Sequence, residues 1–133
     1  MNKFFLDSNV CVYALDKSDQ NKQEKAFELL RYRCCISSQV VIETYNACKN
    51  KLKLSHAVCE DTVLSLVALN RIVEIKDTTL QRAVVLKRKY AFSFLDSVIV
   101  ASALESNCTI LYSEDMQHNQ VIEGKLTIVN PFL

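Results

Sequence analysis

The chain has 133 residues, a formal net charge of +1 and 50% hydrophobic residues, which predicts one globular domain spanning 1–133. A near-neutral charge neither supports nor excludes a nucleic-acid partner. The only glycine is Gly124, so both glycine-rich phosphate-binding loops are excluded. No apolar run reaches the roughly 18 residues of a spanning helix and no secretory signal pattern opens the chain, so we expect a cytoplasmic protein without membrane contact.

Short apolar runs alternate with longer helical patterns along the chain. The first run, 3–7, is followed by a short helix for which Ser8 or Asn9 is the expected cap. Further strands are predicted at 34–37, 71–75, 109–113 and 126–129, and further helices at 19–32, 38–51, 56–69, 78–90 and 94–106. The last of these helices is apolar almost all round and should be buried. This alternation predicts a three-layer α/β/α fold with a mostly parallel sheet.

Four acidic residues fall where such a fold would bring them to one edge of the sheet. Asp7 lies at the carboxyl end of the first strand, Asp115 follows the strand at 109–113, and Glu43 and Asp96 lie early in helices. In an open parallel sheet, ligands bind beyond the carboxyl ends of the strands. Clustered carboxylates without histidine or cysteine suit a hard cation, Mg²⁺ or Mn²⁺, which can activate water for phosphodiester cleavage.

Each acid also has a purely structural interpretation. Asp7 can cap the helix that follows it, and Asp96 can form a capping box with Ser93. Glu43 can be a solvated helix residue, and Asp115 can be a turn residue. The shared edge favours the metal site, because four unrelated structural acids would have to coincide there.

The order of these motifs resembles a known family. The segments "FLDSNVCVYALD", "SSQVVIETYNAC", "FSFLDSVIVASALESNC" and "LYSEDMQHNQVIEGKLTIVNPF" resemble PIN-domain ribonucleases, in particular the VapC-type toxins of toxin–antitoxin pairs. The resemblance covers nearly the whole chain. It implies a five-stranded parallel sheet between helices and a metal-dependent endoribonuclease.

The resemblance also assigns site residues, position by position. The family's catalytic and metal-binding acids correspond to Asp7, Glu43, Asp96 and Asp115. The supporting polar positions correspond to Ser8, Asn9 and Ser113. One departure is Leu95, where many of these toxins have tryptophan before the third acid.

Cofactor and partners follow from the same resemblance. It implies Mg²⁺ or Mn²⁺ as cofactor, a transfer or ribosomal RNA substrate, a homodimer, and a VapB-type antitoxin that covers the site. Apolar residues of the early helices are candidates for contact with the antitoxin, with core packing as the alternative use. These residues are Val12, Tyr13, Leu29 and Leu30.

A non-catalytic alternative is a receiver-like signalling module that binds Mg²⁺ and accepts a phosphoryl group. Such a module needs paired acids after the first strand and a lysine at the end of a late strand. This chain has one acid after its first strand, Ser37 and Ser38 after its second, and no lysine after "TILYS". The sequence therefore favours the nuclease.

Overall fold

The computed structural model describes residues 3–133. The helices are α1 Ser8–Tyr13, α2 Gln20–Leu30, α3 Ser38–Asn50, α4 His56–Leu69, α5 Asp77–Tyr90 and α6 Phe94–Glu105. The strands are β1 Phe4–Leu6, β2 Cys35–Ser37, β3 Arg71–Val73, β4 Ile110–Tyr112, β5 Val121–Ile122 and β6 Leu126–Val129. The predicted alternation of strands and helices is confirmed, with each element close to its predicted position.

The sheet has six strands in the order β3-β2-β1-β4-β6-β5, and only β5 is antiparallel to its neighbour. The expected α/β fold is therefore confirmed, with one strand more than the five expected. The extra strand is a two-residue hairpin arm. Its turn has positive φ at both Glu123 and Gly124, and Lys125 donates to the Ile122 carbonyl oxygen at 3.0 Å. Because the first turn residue is glutamate rather than asparagine or aspartate, the sequence carried only a weak hairpin signal.

The core lies on both faces of β1 and its neighbours. Phe5 and Leu6 are fully buried in the central strand, as is Leu111 in β4. Helix α6 is buried without interruption from Ser97 to Leu104, which confirms the prediction of a buried helix. It packs against α5 and β2.

Helix α1 begins differently from the sequence-based expectation. Its N-cap is Asp7, not Ser8 or Asn9, and the Asp7 carboxylate accepts the Ser8 backbone N–H at 2.7 Å. The predicted capping role of Asp7 is thus present. The expectation for Ser8 and Asn9 was wrong because the helix starts directly where β1 ends, one residue earlier than the polar pair.

No helix within residues 3–133 has the length and apolar character needed to span a lipid bilayer.

The C-cap of α5 is a site where stability can be raised. Ala91 has φ 59°, a left-handed conformation that costs a non-glycine residue about 1 kcal/mol. Glycine avoids this cost but gains freedom in the unfolded chain, which offsets part of the benefit. We expect Ala91→Gly to raise the free energy of unfolding by about 0.5 kcal/mol in urea denaturation.

The matched control for this change is Ala68→Gly. Ala68 is exposed and helical in α4, so glycine there should lower the free energy of unfolding by about 0.5–1 kcal/mol. Equal losses in the two variants would contradict the interpretation of Ala91 as a strained cap.

Candidate active site

Asp7 is a buried carboxylate at the carboxyl end of the central strand. Only 5% of its surface is exposed. Its backbone N–H continues the β1–β4 pairing by donating to the Tyr112 carbonyl oxygen at 3.0 Å. The Ser113 hydroxyl donates to Asp7 Oδ2 at 2.8 Å, and the Ser8 N–H donates to Oδ1. The side chain is therefore fixed in place by the strand behind it and by donors on both sides.

The environment of Asp7 opposes its ionisation. Burial raises the pKa of its carboxyl group to about 6 from an ordinary value of 3.8. The hydrogen bonds from Ser113 and Ser8 act in the opposite direction, and repulsion by the charges of Asp96 and Glu43 adds to the rise. Such a group is stabilised by taking up a proton or by binding a cation.

Asn9 connects two of the acids. Its Nδ2 donates to Asp115 Oδ2 at 3.0 Å and approaches Asp7 Oδ2 at 3.4 Å. The Asn9 side-chain oxygen accepts the Glu114 backbone N–H at 3.2 Å, and the Asp115 N–H donates to Ser113 Oγ at 3.3 Å. The structure therefore brings Asp7, Ser8, Asn9, Ser113 and Asp115 into one hydrogen-bonded group. Asp115 itself is exposed at its margin.

Glu43 and Asp96 approach this group from two other helices. Both are partly exposed, Glu43 in α3 and Asp96 in the first turn of α6. The Ser93 hydroxyl accepts the Asp96 N–H at 3.1 Å, so this half of the expected capping box is present. Burial, with repulsion from Asp115 as a smaller cause, raises the pKa of Asp96.

The acids face one another without closing into a compact ligand set. Among residues 3–133, no three acidic, histidine or cysteine side chains form a group tight enough to hold a metal ion as they stand. Like charges in a partly buried setting repel one another unless a cation or protons neutralise them.

The residues present nevertheless fit a hard divalent cation. The candidate ligand atoms at this edge are carboxylate and hydroxyl oxygens, a type of ligand that Mg²⁺ and Mn²⁺ prefer. In addition, Gln39 Oε1 is buried and has no hydrogen-bond partner within the described part of the chain. A buried oxygen left unpaired is costly, so this atom can accept a further hydrogen bond or contact a cation.

Gln39 was missed as a site residue by sequence analysis. Its Nε2 donates to Glu43 Oε2 at 3.2 Å and to the Leu95 carbonyl oxygen at 3.3 Å, which joins α3 to the first turn of α6. Its spacing of four residues from Glu43 was the available signal. Sequence analysis left Glu43 open as a solvated helix residue, whereas in the structure Gln39 orients it through this hydrogen bond.

A second missed group surrounds Glu114. The Tyr13 hydroxyl donates to Glu114 Oε1 at 2.7 Å, and the Lys22 ammonium contacts Glu114 Oε2. Tyr13 and Lys22 precede Glu114 by 101 and 92 positions in the chain, respectively. No local pattern could have predicted this pairing.

Solved structures share the fold. A toxin–antitoxin complex from Klebsiella pneumoniae matches with a TM-score of 0.72 at 20% identity, covering 97% of this chain and 98% of that one. VapC20 of Mycobacterium tuberculosis, a sarcin–ricin loop cleaving toxin, matches with a TM-score of 0.70 at 16% identity, covering 85% and 90%. DNA-bound VapBC from Salmonella typhimurium matches with a TM-score of 0.70 at 18% identity, covering 96% and 97%. No curated protein sequence matches the chain.

A family model also matches the sequence. The model of the PIN domain matches residues 4–123, a span that includes every acid of the candidate site. The chain belongs to the PIN-domain family.

Proposed function

We propose that this protein is a divalent-metal-dependent endoribonuclease, with Mg²⁺ or Mn²⁺ as cofactor, that acts as the toxin of a toxin–antitoxin pair. The observation that carries the proposal is Asp7, a carboxylate that is 5% exposed and lies within the electrostatic reach of two further acids. Membership of the PIN-domain family and the fold shared with toxins support it. The family match leaves the receiver-like alternative without support.

The chain's own residues divide into ligands and positioning groups. Asp7, Glu43, Asp96 and Asp115 would hold the cation, whereas Ser8, Asn9 and Ser113 restrict the orientation of the Asp7 and Asp115 carboxylates. A bound Mg²⁺ or Mn²⁺ supplies water of lowered pKa and stabilises negative charge that develops on the phosphodiester. Asp7 can serve only when deprotonated, so protons and the cation compete for this buried carboxylate.

An apolar groove between α2 and α4 is the proposed site of the antitoxin. It has a volume of about 460 Å³, and Phe27, Val58 and Leu69 line it with 53%, 42% and 66% of their surfaces exposed. Three of the matching structures are toxin–antitoxin complexes. In each, the structural match covers nearly all of this chain and nearly all of the matching chain. Exposed apolar surface of this kind is typical of a partner site.

The apolar residues that the sequence suggested for antitoxin contact do not all lie at the groove. Leu30 lines this groove, whereas Val12 and Leu29 are buried in the core. Tyr13 packs its ring against Phe132.

We also expect a homodimer, which sedimentation of the purified protein measures.

Changing single ligands should remove catalysis. Asp7→Asn, Glu43→Gln and Asp96→Asn should each lower the rate of RNA cleavage on the order of 100-fold or more, because each removes charge that holds the cation and stabilises the transition state. The measurement is cleavage of total bacterial RNA by purified protein, followed by sequencing of the new ends.

Glu60→Gln is the control for these variants, because Glu60 is exposed on α4. It should cleave at the parent rate. Cleavage by Asp96→Asn at the parent rate would show that the site has been assigned to the wrong acids.

Stability without metal should depend on the protonation of Asp7. The carboxyl group keeps its proton up to about pH 6 in the folded protein but loses it near its ordinary pKa of 3.8 when unfolded. Between these values the folded state binds more protons, so the contribution of Asp7 to stability is lost as pH rises through about 6. In chelator, the free energy of unfolding should fall over this window by about 2–3 kcal/mol relative to Asp7→Asn.

Metal should reverse this loss at neutral pH. Mn²⁺ at 100 times its dissociation constant should add about 2.7 kcal/mol to the parent, and clearly less to Asp7→Asn. Thermal melts with chelator and with Mn²⁺ measure both effects, and Asp61→Asn on α4 is the matched control. Identical Mn²⁺ shifts in the parent and in Asp7→Asn would rule out Asp7 as a ligand.

Growth assays and binding measurements test whether an antitoxin binds this protein. Expression of the free protein should arrest bacterial growth, and co-expression of a short neighbouring open reading frame should restore growth. Leu69→Glu should weaken antitoxin binding by at least about tenfold, because it places an unpaired charge in the apolar groove. Leu64→Glu is the matched control, since Leu64 is equally exposed on α4, at 67%, but lies outside the groove. Equal antitoxin binding by both variants would contradict the assigned groove.

A further inference from the structure

Lys22 reaches from α2 to the loop that follows β4. Its ammonium contacts Glu114 Oε2 and lies 3.2 Å from the Tyr13 hydroxyl oxygen, which itself donates to Glu114 Oε1 at 2.7 Å. Both carboxylate oxygens of Glu114 are therefore held, one by an ammonium and one by a phenol. We call Lys22, Tyr13 and Glu114 the α2 clamp.

The α2 clamp is partly shielded from water. The side chains of Lys22 and Glu114 are 32% and 24% exposed. The ammonium also lies over two aromatic rings, 4.7 Å from the centre of Tyr13 and 5.6 Å from that of Phe132. These rings pack edge to face with centres 4.9 Å apart. Such a setting holds an ion pair in one geometry far better than an exposed surface pair is held.

Glu114 in turn is tied to the candidate metal edge through its backbone. Its N–H donates to Asn9 Oδ1 at 3.2 Å, which turns the Asn9 amide so that Nδ2 faces the acids. That Nδ2 donates to Asp115 Oδ2 at 3.0 Å. A continuous chain of contacts thus runs from α2 to a carboxylate that is otherwise exposed in the loop after β4.

We propose that Lys22 is a positioning residue for the metal edge: by fixing Glu114 it holds Asn9 and Asp115 in the arrangement that receives the cation. This inference rests on the proposed function. Lys22 contacts neither Asp7 nor Asp115 in the hydrogen bonds described, so its effect passes through Glu114 and Asn9. Groups that orient metal ligands in this way typically change metal affinity 10–100-fold when they are removed.

Electrostatics alone predicts the opposite change in metal affinity when Lys22 is removed, so the direction of that change tests the inference. Removing a positive charge beside an acidic site makes the site more negative, and a divalent cation should then bind more tightly. Loss of positioning instead frees the loop after β4, and the cation should bind more weakly. The direction of the change in affinity therefore separates the two causes.

The experiment compares Lys22→Met, Lys22→Arg and Lys25→Met in the full-length protein. Lys25 is also on α2, but its pair with Glu28 is long, at 3.8 Å, and exposed. Mn²⁺ affinity is measured by calorimetric titration and by the Mn²⁺-dependent shift in melting, and melting in chelator reports on the fold. We expect Lys22→Met to bind Mn²⁺ on the order of tenfold more weakly. Lys22→Arg should recover most of this loss, and Lys25→Met should match the parent.

RNA cleavage provides a second readout that a general loss of stability would not produce. The Lys22→Met variant should need more Mn²⁺ for half-maximal cleavage and should approach the parent rate at saturating Mn²⁺. Unchanged or tighter Mn²⁺ binding by Lys22→Met would overturn the positioning role while leaving the nuclease proposal intact. Absence of both Mn²⁺ binding and cleavage in the parent would overturn the two proposals together.

Discussion

The burial of the Asp7 carboxylate is the constraint on which the rest of the site depends. A charge in this position is expensive unless it is neutralised or fully hydrogen-bonded. Ser8 and Ser113 supply two donors, but burial and the neighbouring acids still raise the pKa of Asp7 to about 6. The remaining demand is for positive charge, and a divalent cation meets it without requiring that the carboxylate be protonated.

The sheet order explains why the other acids come to the same place. Strand β1 lies between β2 and β4, and all three are parallel. Their carboxyl ends therefore deliver Asp7, the start of α3 and the loop 113–115 to adjacent positions. Helix α6 leads back into β4, so its first turn, with Asp96, lies at this edge as well. The fold places the acids there by its connectivity, while Gln39 and Asn9 set their final orientation.

Helix α2 contributes to both of the proposed roles. Its second half presents Phe27 and Leu30 to the apolar groove, and its first turn carries Lys22 to Glu114. A helix of 11 residues thus links a surface suited to a partner with the loop that holds Asp115. One helix can contact both regions because successive residues of a helix point in different directions from one rigid segment.

The sequence alone correctly predicted the fold class and the buried helix α6, and it proposed four acids for the candidate site. It could do so because periodicity, apolar runs and the rule that parallel strands present their carboxyl ends together are local or topological signals. Even there, it misplaced the α1 cap, since whether Asp7, Ser8 or Asn9 begins the helix depends on where the strand pairing ends.

The contacts that hold these acids depend on the tertiary structure, although the family resemblance had already assigned Asn9 a supporting role. Asn9 meets Asp115 across 106 positions of the chain, and Lys22 meets Glu114 across 92. Such contacts leave no periodic trace, because the partners are joined by the packing of separate elements rather than by spacing along one. The short β5 likewise formed because β6 was there to pair with it, a stabilisation that two residues cannot supply alone.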